Sequence, residues 1–268
     1  MELQAYLDRI GFTGLPAPDL ATLARIQRGH LEHIPYENLD VQLRRPVTVD
    51  PRDAFAKLVT AGRGGWCYEM NGLFGWALEQ VGFRVMRMTG AVLRAQRGDV
   101  AIGNHLALTV DLDQPYLVDV GLGDGPSEPI PLREGRYRQG WRTVRLERLE
   151  GEWWRFHNHE LAFAGSFDFR RQPADWNLLA RQCQWLQADP DSRFVQNLVC
   201  LRHRPDGVTA LVGRVLKTVD AGGSRDHILE TPEAHAEALA TQFGINLPDA
   251  AGLWPEIARR HDELFGPS

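Results

Sequence analysis

The stretch Arg63-Gly64-Gly65-Trp66-Cys67-Tyr68-Glu69 places a cysteine, the most nucleophilic of the common side chains, where a turn gives way to a helix. Met70, Leu73, Phe74, Ala77, Leu78 and Val81 repeat at helical spacing and Gly82 supplies the stop, so the helix starts at or just before Cys67. The first N–H groups of a helix have no partner within it, and their partial positive charge stabilises a thiolate. The same donors suit the oxyanion of a tetrahedral intermediate. Gly64 and Gly65 let the backbone turn tightly between helices. The plainer alternative is that Cys67 is a small buried hydrophobe, as most cysteines are.

A thiol nucleophile works with a base, and the base with an orienting group. His105 and Asp119 suit these roles if they share one face of a hairpin. Their strands are joined by a short turn at Leu112–Gln114. If Asp111 pairs with Pro115 around a three-residue loop, Ala107 faces Asp119 and His105 lies two residues further along the same face. Diagonal neighbours sit roughly 7–8 Å apart at Cα, within reach of the two side chains. An even loop length puts them on opposite faces, so the triad requires an odd loop or a bulge. Asp119 also interrupts the apolar run Tyr116-Leu117-Val118-Asp119-Val120, where a buried carboxylate needs a partner. Its alternative is a solvent-facing edge position, and that of His105 is a structural histidine. His157 and His159 alternate along one strand face, but no cluster of Cys or carboxylate completes a metal site, so no metal is expected.

The elements that must carry these residues follow from periodicity and breakers. Leu3, Tyr6, Leu7 and Ile10 mark a helix that stops at Gly11, and Asp19 caps a second one through Leu20, Leu23 and Ile26. Asp50-Pro51 opens a third, with Phe55, Leu58 and Val59 packed inward and Gly62 as its end. From Phe83 the pattern turns to strands: Phe83–Leu93, His105–Val110, Tyr116–Val120, and a hairpin of 142–149 with 152–156. A helix follows Asp175, a second hairpin spans 197–212 around Pro205-Asp206-Gly207, and helices start at Thr231-Pro232 and Trp254. The order is helices, an antiparallel β core, then a mixed C-terminal part.

Composition bounds the rest. Hydrophobic residues at 43% and charged residues at 24% over 268 positions suffice to bury a core. A net charge of −5 with no basic stripe argues against nucleic acid. The N-terminus has no apolar stretch of a signal peptide, and no apolar run approaches the roughly 20 residues of a membrane span. Three cysteines, Cys67, Cys183 and Cys200, with no CxxC pair argue against a disulfide scaffold and suit a reducing cytoplasm.

Taken together the motifs resemble those of the arylamine N-acetyltransferase family. Arg63 through Gly72 is similar to its nucleophile motif, and His30-Leu31-Glu32-His33-Ile34-Pro35-Tyr36-Glu37-Asn38-Leu39-Asp40 to its N-terminal motif. Asn104-His105, Asp119-Val120-Gly121-Leu122-Gly123 and the segment from Asp189 to Asn197 follow in the family's order. The resemblance implies an α+β fold with an N-terminal helical bundle (1–82), a central antiparallel β-barrel (83–186) and a C-terminal α/β lid (187–268) around a cysteine-protease-like catalytic core. It implies acetyl-CoA as co-substrate, no tightly bound cofactor, and an arylamine, hydrazine or arylhydroxylamine as acceptor, in a monomer or homodimer. Cys67 is then the nucleophile, His105 the base and Asp119 the orienting acid, with Tyr36 and Phe194 lining the acceptor pocket. Gly123 and Gly125 form a turn expected to be exposed and to approach the CoA, although Asp124 between them has the wrong charge for a phosphate neighbour. Leu122 stands where the family commonly has an aromatic, which alters the pocket wall, and Met70 where it commonly has a glutamine. Relatives of the same fold include amide synthases of macrolactam pathways. The triad also serves thiol hydrolases and transglutaminase-like enzymes, and a non-catalytic binding protein on this fold is the remaining alternative.

Overall fold

Helix signals in the first third are local, and the computed structural model, which describes residues 1–266, follows them closely. Helix α1 (Leu3–Arg9) ends before Gly11, and α2 (Leu20–His33) opens on Asp19, whose carboxylate accepts from the N–H of Thr22 at 2.8 Å. Strand β1 (Tyr36–Glu37) and the one-turn helix α3 (Leu39–Gln42) come next. Helix α4 (Pro51–Phe55) continues as a π-helical turn over Ala56–Thr60 where the spacing predicts one regular helix. That wider turn buries Leu58 in the core and sends Lys57 to Asp40 and Glu69. Helix α5 (Cys67–Val81) is buried on nearly every side through its first half and ends at Gly82, whose φ of +105° is the left-handed stop.

Eight antiparallel strands form the main sheet. They are β2 (Arg84–Val92), β3 (His105–Asp111), β4 (Pro115–Val118), β5 (Ile130–Pro131), β6 (Gly135–Gln139), β7 (Arg142–Arg148), β8 (Trp153–His157) and β9 (Ser166–Arg170). A short helix, α6 (Arg94–Arg97), follows β2. The strand order β5-β4-β3-β2-β9-β8-β7-β6 brings the two edge strands close, and Gln139 bonds across to Ser127 and Glu128, giving a nearly closed barrel. Side-chain alternation divides β3 and β4 between two cores. Leu108, Val110 and Val118 pack on the N-terminal helices, while Ala107 and Leu117 fill the barrel with Met88, Phe156, Phe167 and Phe169. Each fully buried phenylalanine contributes roughly 1.5–3 kcal/mol.

After α7 (Trp176–Ala188), capped by Asp175, and α8 (Arg193–Gln196), a second sheet runs β1-β10-β11-β12-β13, with β10 (Val199–Arg204), β11 (Gly207–Val212), β12 (Val215–Asp220) and β13 (Gly223–Ile228). Helices α9 (Pro232–Phe243) and α10 (Trp254–Phe265) close the chain. The hairpin over 197–212 forms around the expected turn. The pair β12–β13 has no counterpart in the sequence reading, because β13 is exposed and polar and lacks the alternation that marks a strand. The arrangement is a mixed helix-and-sheet fold, and among the described residues no helix is long and apolar enough to cross a membrane.

Candidate active site

Strand β4 ends at Val118, two residues earlier than its apolar run predicts, and this places Asp119 just beyond the ladder. The physical reason is local: Asp119 Oδ1 accepts from the N–H of Gly121 at 2.8 Å, turning the chain away from strand pairing. The β3–β4 register pairs Asp111 with Pro115 and Leu108 with Val118, so the loop has the odd length that the triad requires. His105 and Asp119 therefore meet on one face, with Nε2 of His105 2.6 Å from Asp119 Oδ2. The pair is almost fully buried, His105 being 1% and Asp119 0% exposed, and the imidazole packs on Phe167 at 5.0 Å between ring centroids. The solvent-facing alternative for Asp119 does not hold. Because Nε2 is committed to the carboxylate, Nδ1 is the ring nitrogen left for another partner.

Cys67 is the first residue of α5. The N-cap position is Trp66, whose side chain offers no acceptor. The helix start is held instead by Glu69, whose Oε2 accepts from the N–H of Trp66 at 3.1 Å. Gly64 and Gly65 serve differently from the expected tight turn, since neither has a positive φ. They allow close approach: a Cβ on Gly64 would stand 2.1 Å from the carbonyl oxygen of Pro35, and one on Gly65 2.7 Å from Glu69 Oε2. The loop thus lies flat against β1, where Glu37 N–H donates to the Gly65 carbonyl at 2.9 Å.

A charge network that the sequence reading did not find fastens this loop from behind. Arg63 donates to Glu37 Oε1 through Nη2 at 2.7 Å and Nε at 3.0 Å, and to Asp40 at 3.3 Å. Lys57 bridges Asp40 at 2.8 Å and Glu69 at 2.9 Å. Burial pushes the Glu69 carboxyl up to about 7, with Lys57 opposing the shift and Glu37 adding to it. These charges are spread over positions 37 to 69, so no short motif announces their pairing.

Asn71 joins the three parts of the site. It is fully buried, its Nδ2 donates to the Leu106 carbonyl at 2.6 Å, and its Oδ1 accepts from the N–H of Val120 at 2.9 Å. One side chain on the Cys67 helix thereby fixes the residue after His105 and the residue after Asp119. Gly121 makes the approach possible, since a Cβ there would lie 2.8 Å from Cys67 Cα. A sequence signal existed: Asn71 is a polar residue one helical turn beyond Cys67 in a largely apolar helix. Asn71→Ala strands a buried carbonyl and a buried N–H. We expect it to destabilise the fold by about 3 kcal/mol in urea unfolding followed by circular dichroism. A loss below about 1 kcal/mol would mean that both groups find other partners.

Cys67 is 3% exposed and its Sγ lies 3.7 Å from the carbonyl oxygen of Asn104, next to His105. Burial pushes the thiol well up from its ordinary range, and Cys183 and Asp119 add to this. The N–H groups of Leu106 and Tyr68 act in the opposite direction. Helix-start donors alone therefore do not acidify this thiol, and a thiolate here needs a positive partner. Cys183 is pushed up to about 12 and Cys200 well up by burial. Only Cys67 opens on a cavity of about 520 Å³, which is also lined by His105, Tyr36, Gly121, Leu122 and Phe194. Tyr36 and Phe194, named from the sequence, thus share that cavity with Cys67, and Phe194 rests edge-on against Trp66 at 5.3 Å.

Gly123 and Gly125 lie elsewhere. The turn expected to be exposed is buried throughout, and neither glycine lines the cavity. A Cβ on Gly123 would press on Leu201 at 3.1 Å, and one on Gly125 on Leu122 Cβ at 2.9 Å. Asp124 is the cause, because its carboxylate points inward to the N–H of Phe163 and its carbonyl to Arg142. Burial pushes the Asp124 carboxyl up to about 6 against the pull of these donors. His157 binds Glu147 at 2.7 Å, and among the described residues no group of three or more His, Cys, Asp or Glu side chains is placed to hold a metal ion.

Residues 19–251 match a family model described as N-acetyltransferase. The chain is similar to an arylamine N-acetyltransferase of Mycolicibacterium smegmatis, at 36% identity over 94% of this chain and 94% of that protein. It is similar to one of Mycobacterium tuberculosis at 31% identity, over 99% and 96%. Among solved structures, the M. smegmatis arylamine N-acetyltransferase superimposes with a TM-score of 0.87 at 34% identity, covering 97% of this chain and 98% of that one. The Mycobacterium marinum enzyme in complex with CoA superimposes with a TM-score of 0.86 at 30% identity, over 98% and 99%.

Proposed function

The chain belongs to the arylamine N-acetyltransferase family, and from that premise we propose that it moves an acetyl group from acetyl-CoA, through a thioester on Cys67, to arylamines, hydrazines or arylhydroxylamines. The observation that carries this reading is the buried His105–Asp119 pair, 2.6 Å apart, on the cavity that also reaches Cys67.

Burial disfavours a lone thiolate at Cys67, so the thiol proton passes to His105 Nδ1 and the thiolate exists as an ion pair with the imidazolium. The Asp119 carboxylate holds the imidazole in one tautomer and supports its charge. The thiolate attacks the thioester carbonyl, the N–H groups at the start of α5 receive the developing oxyanion, and the C–S bond to CoA breaks as the CoA sulfur takes the proton from His105. An amine then attacks acetyl-Cys67, His105 accepts its proton, and the Cys67 sulfur leaves. Tyr36 and Phe194 bound the acceptor ring. Gly123 and Gly125 let their loop pack closely on Leu201 and Leu122, and we keep that loop as the stretch that approaches the CoA.

The same reading assigns working units to 1–82 (helical bundle, Cys67), 83–186 (barrel, His105 and Asp119) and 187–268 (lid). Phe194, Leu201 and Val212 of the last unit bound the cavity, which supports its part as a cover. A nucleophile at a helix start facing a histidine on a β-barrel is the arrangement of a cysteine-protease-like core. We place the enzyme in the cytoplasm, where a reactive thiol stays reduced.

Mixing the protein with acetyl-CoA and no amine tests the mechanism. We expect a burst of about one equivalent of CoA, one added acetyl group in the intact mass, and that group mapped to Cys67. An aromatic amine or hydrazine should discharge it faster than water does, with parallel double-reciprocal plots. Steady CoA release without amine would mean a hydrolase, and none at all a binding protein. CoA appearing only when both substrates are present would refute the two-step mechanism.

A further inference from the structure

Asp124 has no part in the chemistry above, yet it is a carboxylate only 1% exposed. A buried carboxylate is costly unless donors occupy its oxygens. Here Oδ2 accepts from the N–H of Phe163 at 2.6 Å and Oδ1 from Asn158 Nδ2 at 3.3 Å. The Asp124 carbonyl accepts from Asn158 Nδ2 and from Arg142 Nη1, both at 3.2 Å. Arg142, itself buried, bonds His203 Nδ1 of β10 through Nη2 at 3.0 Å. The Asp124 knot therefore fastens residues 158–164 to the loop that follows Asp119, and Arg142 ties that loop to β7 and β10.

The consequence falls on the cavity. Phe163 and Ala164 line it together with Gly121, Leu122, Cys67 and His105. Phe163 keeps 38% of its surface exposed, so its ring is available to a ligand, while its backbone is held by Asp124. An aromatic ring resting on such a face gains an interaction equivalent to roughly a two- to tenfold preference. A small acceptor that does not reach the wall gains nothing.

We propose that Asp124 is a positioning residue for acceptor selection: it fixes the Phe163–Ala164 segment as a wall of the Cys67 cavity and so favours acceptors with an extended aromatic surface over small ones. This rests on the acetyl-enzyme reading given above. Leu122, on the same cavity, supplies no ring of its own.

The test compares a two-ring aromatic amine with unsubstituted hydrazine as acceptors for the acetyl-enzyme, with the amplitude of the acetyl-CoA burst counting active sites. The readout is the ratio of the two kcat/KM values, which loss of folded protein does not move. Asp124→Ala should lower the ratio by about five- to tenfold, and Phe163→Ala by a similar factor. The double variant should be no lower than Phe163→Ala alone, because Asp124 acts through that wall. A ratio within about 1.5-fold of the unmodified protein in Phe163→Ala overturns the proposal even if Asp124→Ala fails to fold. Additive losses in the double variant overturn it as well. A normal burst with an unmoved ratio defeats this inference alone, whereas no burst from the unmodified protein defeats the acetyl-enzyme reading and this inference with it.

Discussion

Cys67→Ala should leave a folded protein whose acetyl transfer is lower by about 10⁴-fold or more, since removing the nucleophile disables a group of residues that act as a unit. The fold should tolerate the change because the thiol donates only a long hydrogen bond, to the Asn104 carbonyl at 3.7 Å, and the helix start is held by Glu69 and Lys57 instead. Cys183→Ser and Cys200→Ser should keep transfer and lose mainly stability, as both thiols are buried away from the cavity wall. Chemical labelling separates the three independently of turnover. Iodoacetamide at neutral pH should reach Cys67 first, because it alone combines cavity access with a histidine able to take its proton. Acetyl-CoA should protect it. Peptide mapping that finds Cys183 or Cys200 labelled first would remove the nucleophile assignment.

Asp119→Asn should slow turnover by roughly 10² to 10⁴. Both carboxylate oxygens are in use as acceptors, one for His105 and one for the N–H of Gly121. An amide offers a single acceptor oxygen, so either the histidine tautomer or the loop is left without its partner. The charge that supports the imidazolium is lost in both cases. The loss should appear in kcat and in the rate of the CoA burst, with intact protein verified by circular dichroism. A well-folded Asp119→Asn enzyme turning over at near-normal rate would make the aspartate purely structural.

The site was legible in the sequence where its determinants are short-range. The start of α5 at Cys67 follows from apolar spacing over 15 residues and from Gly82 as a left-handed stop. That His105 and Asp119 share a face follows from counting a three-residue loop between two strands, because strand side chains alternate strictly. The order of motifs along the chain carried the family, in agreement with the family match over residues 19–251 and the 36% identity to the M. smegmatis protein.

What only the tertiary structure decided is how these pieces are held and which groups are dry. Glu37, Asp40, Lys57, Arg63 and Glu69 could each have been solvated surface charges, and nothing in their spacing pairs them. Strand β1 finds its partner in β10, more than 160 residues away, and Asn71 finds two backbone groups on other elements at separations of 35 and 49 residues. The turn at Gly123–Gly125 reads as exposed because glycines and an aspartate usually are. It is buried because Phe163, Asn158 and Arg142 arrive from distant strands and loops to satisfy Asp124. Periodicity records which face of an element is apolar. Which donor meets a buried carboxylate, and whether a helix-start thiol is acidified or held neutral by its surroundings, depend on distances that exist only once the chain has packed.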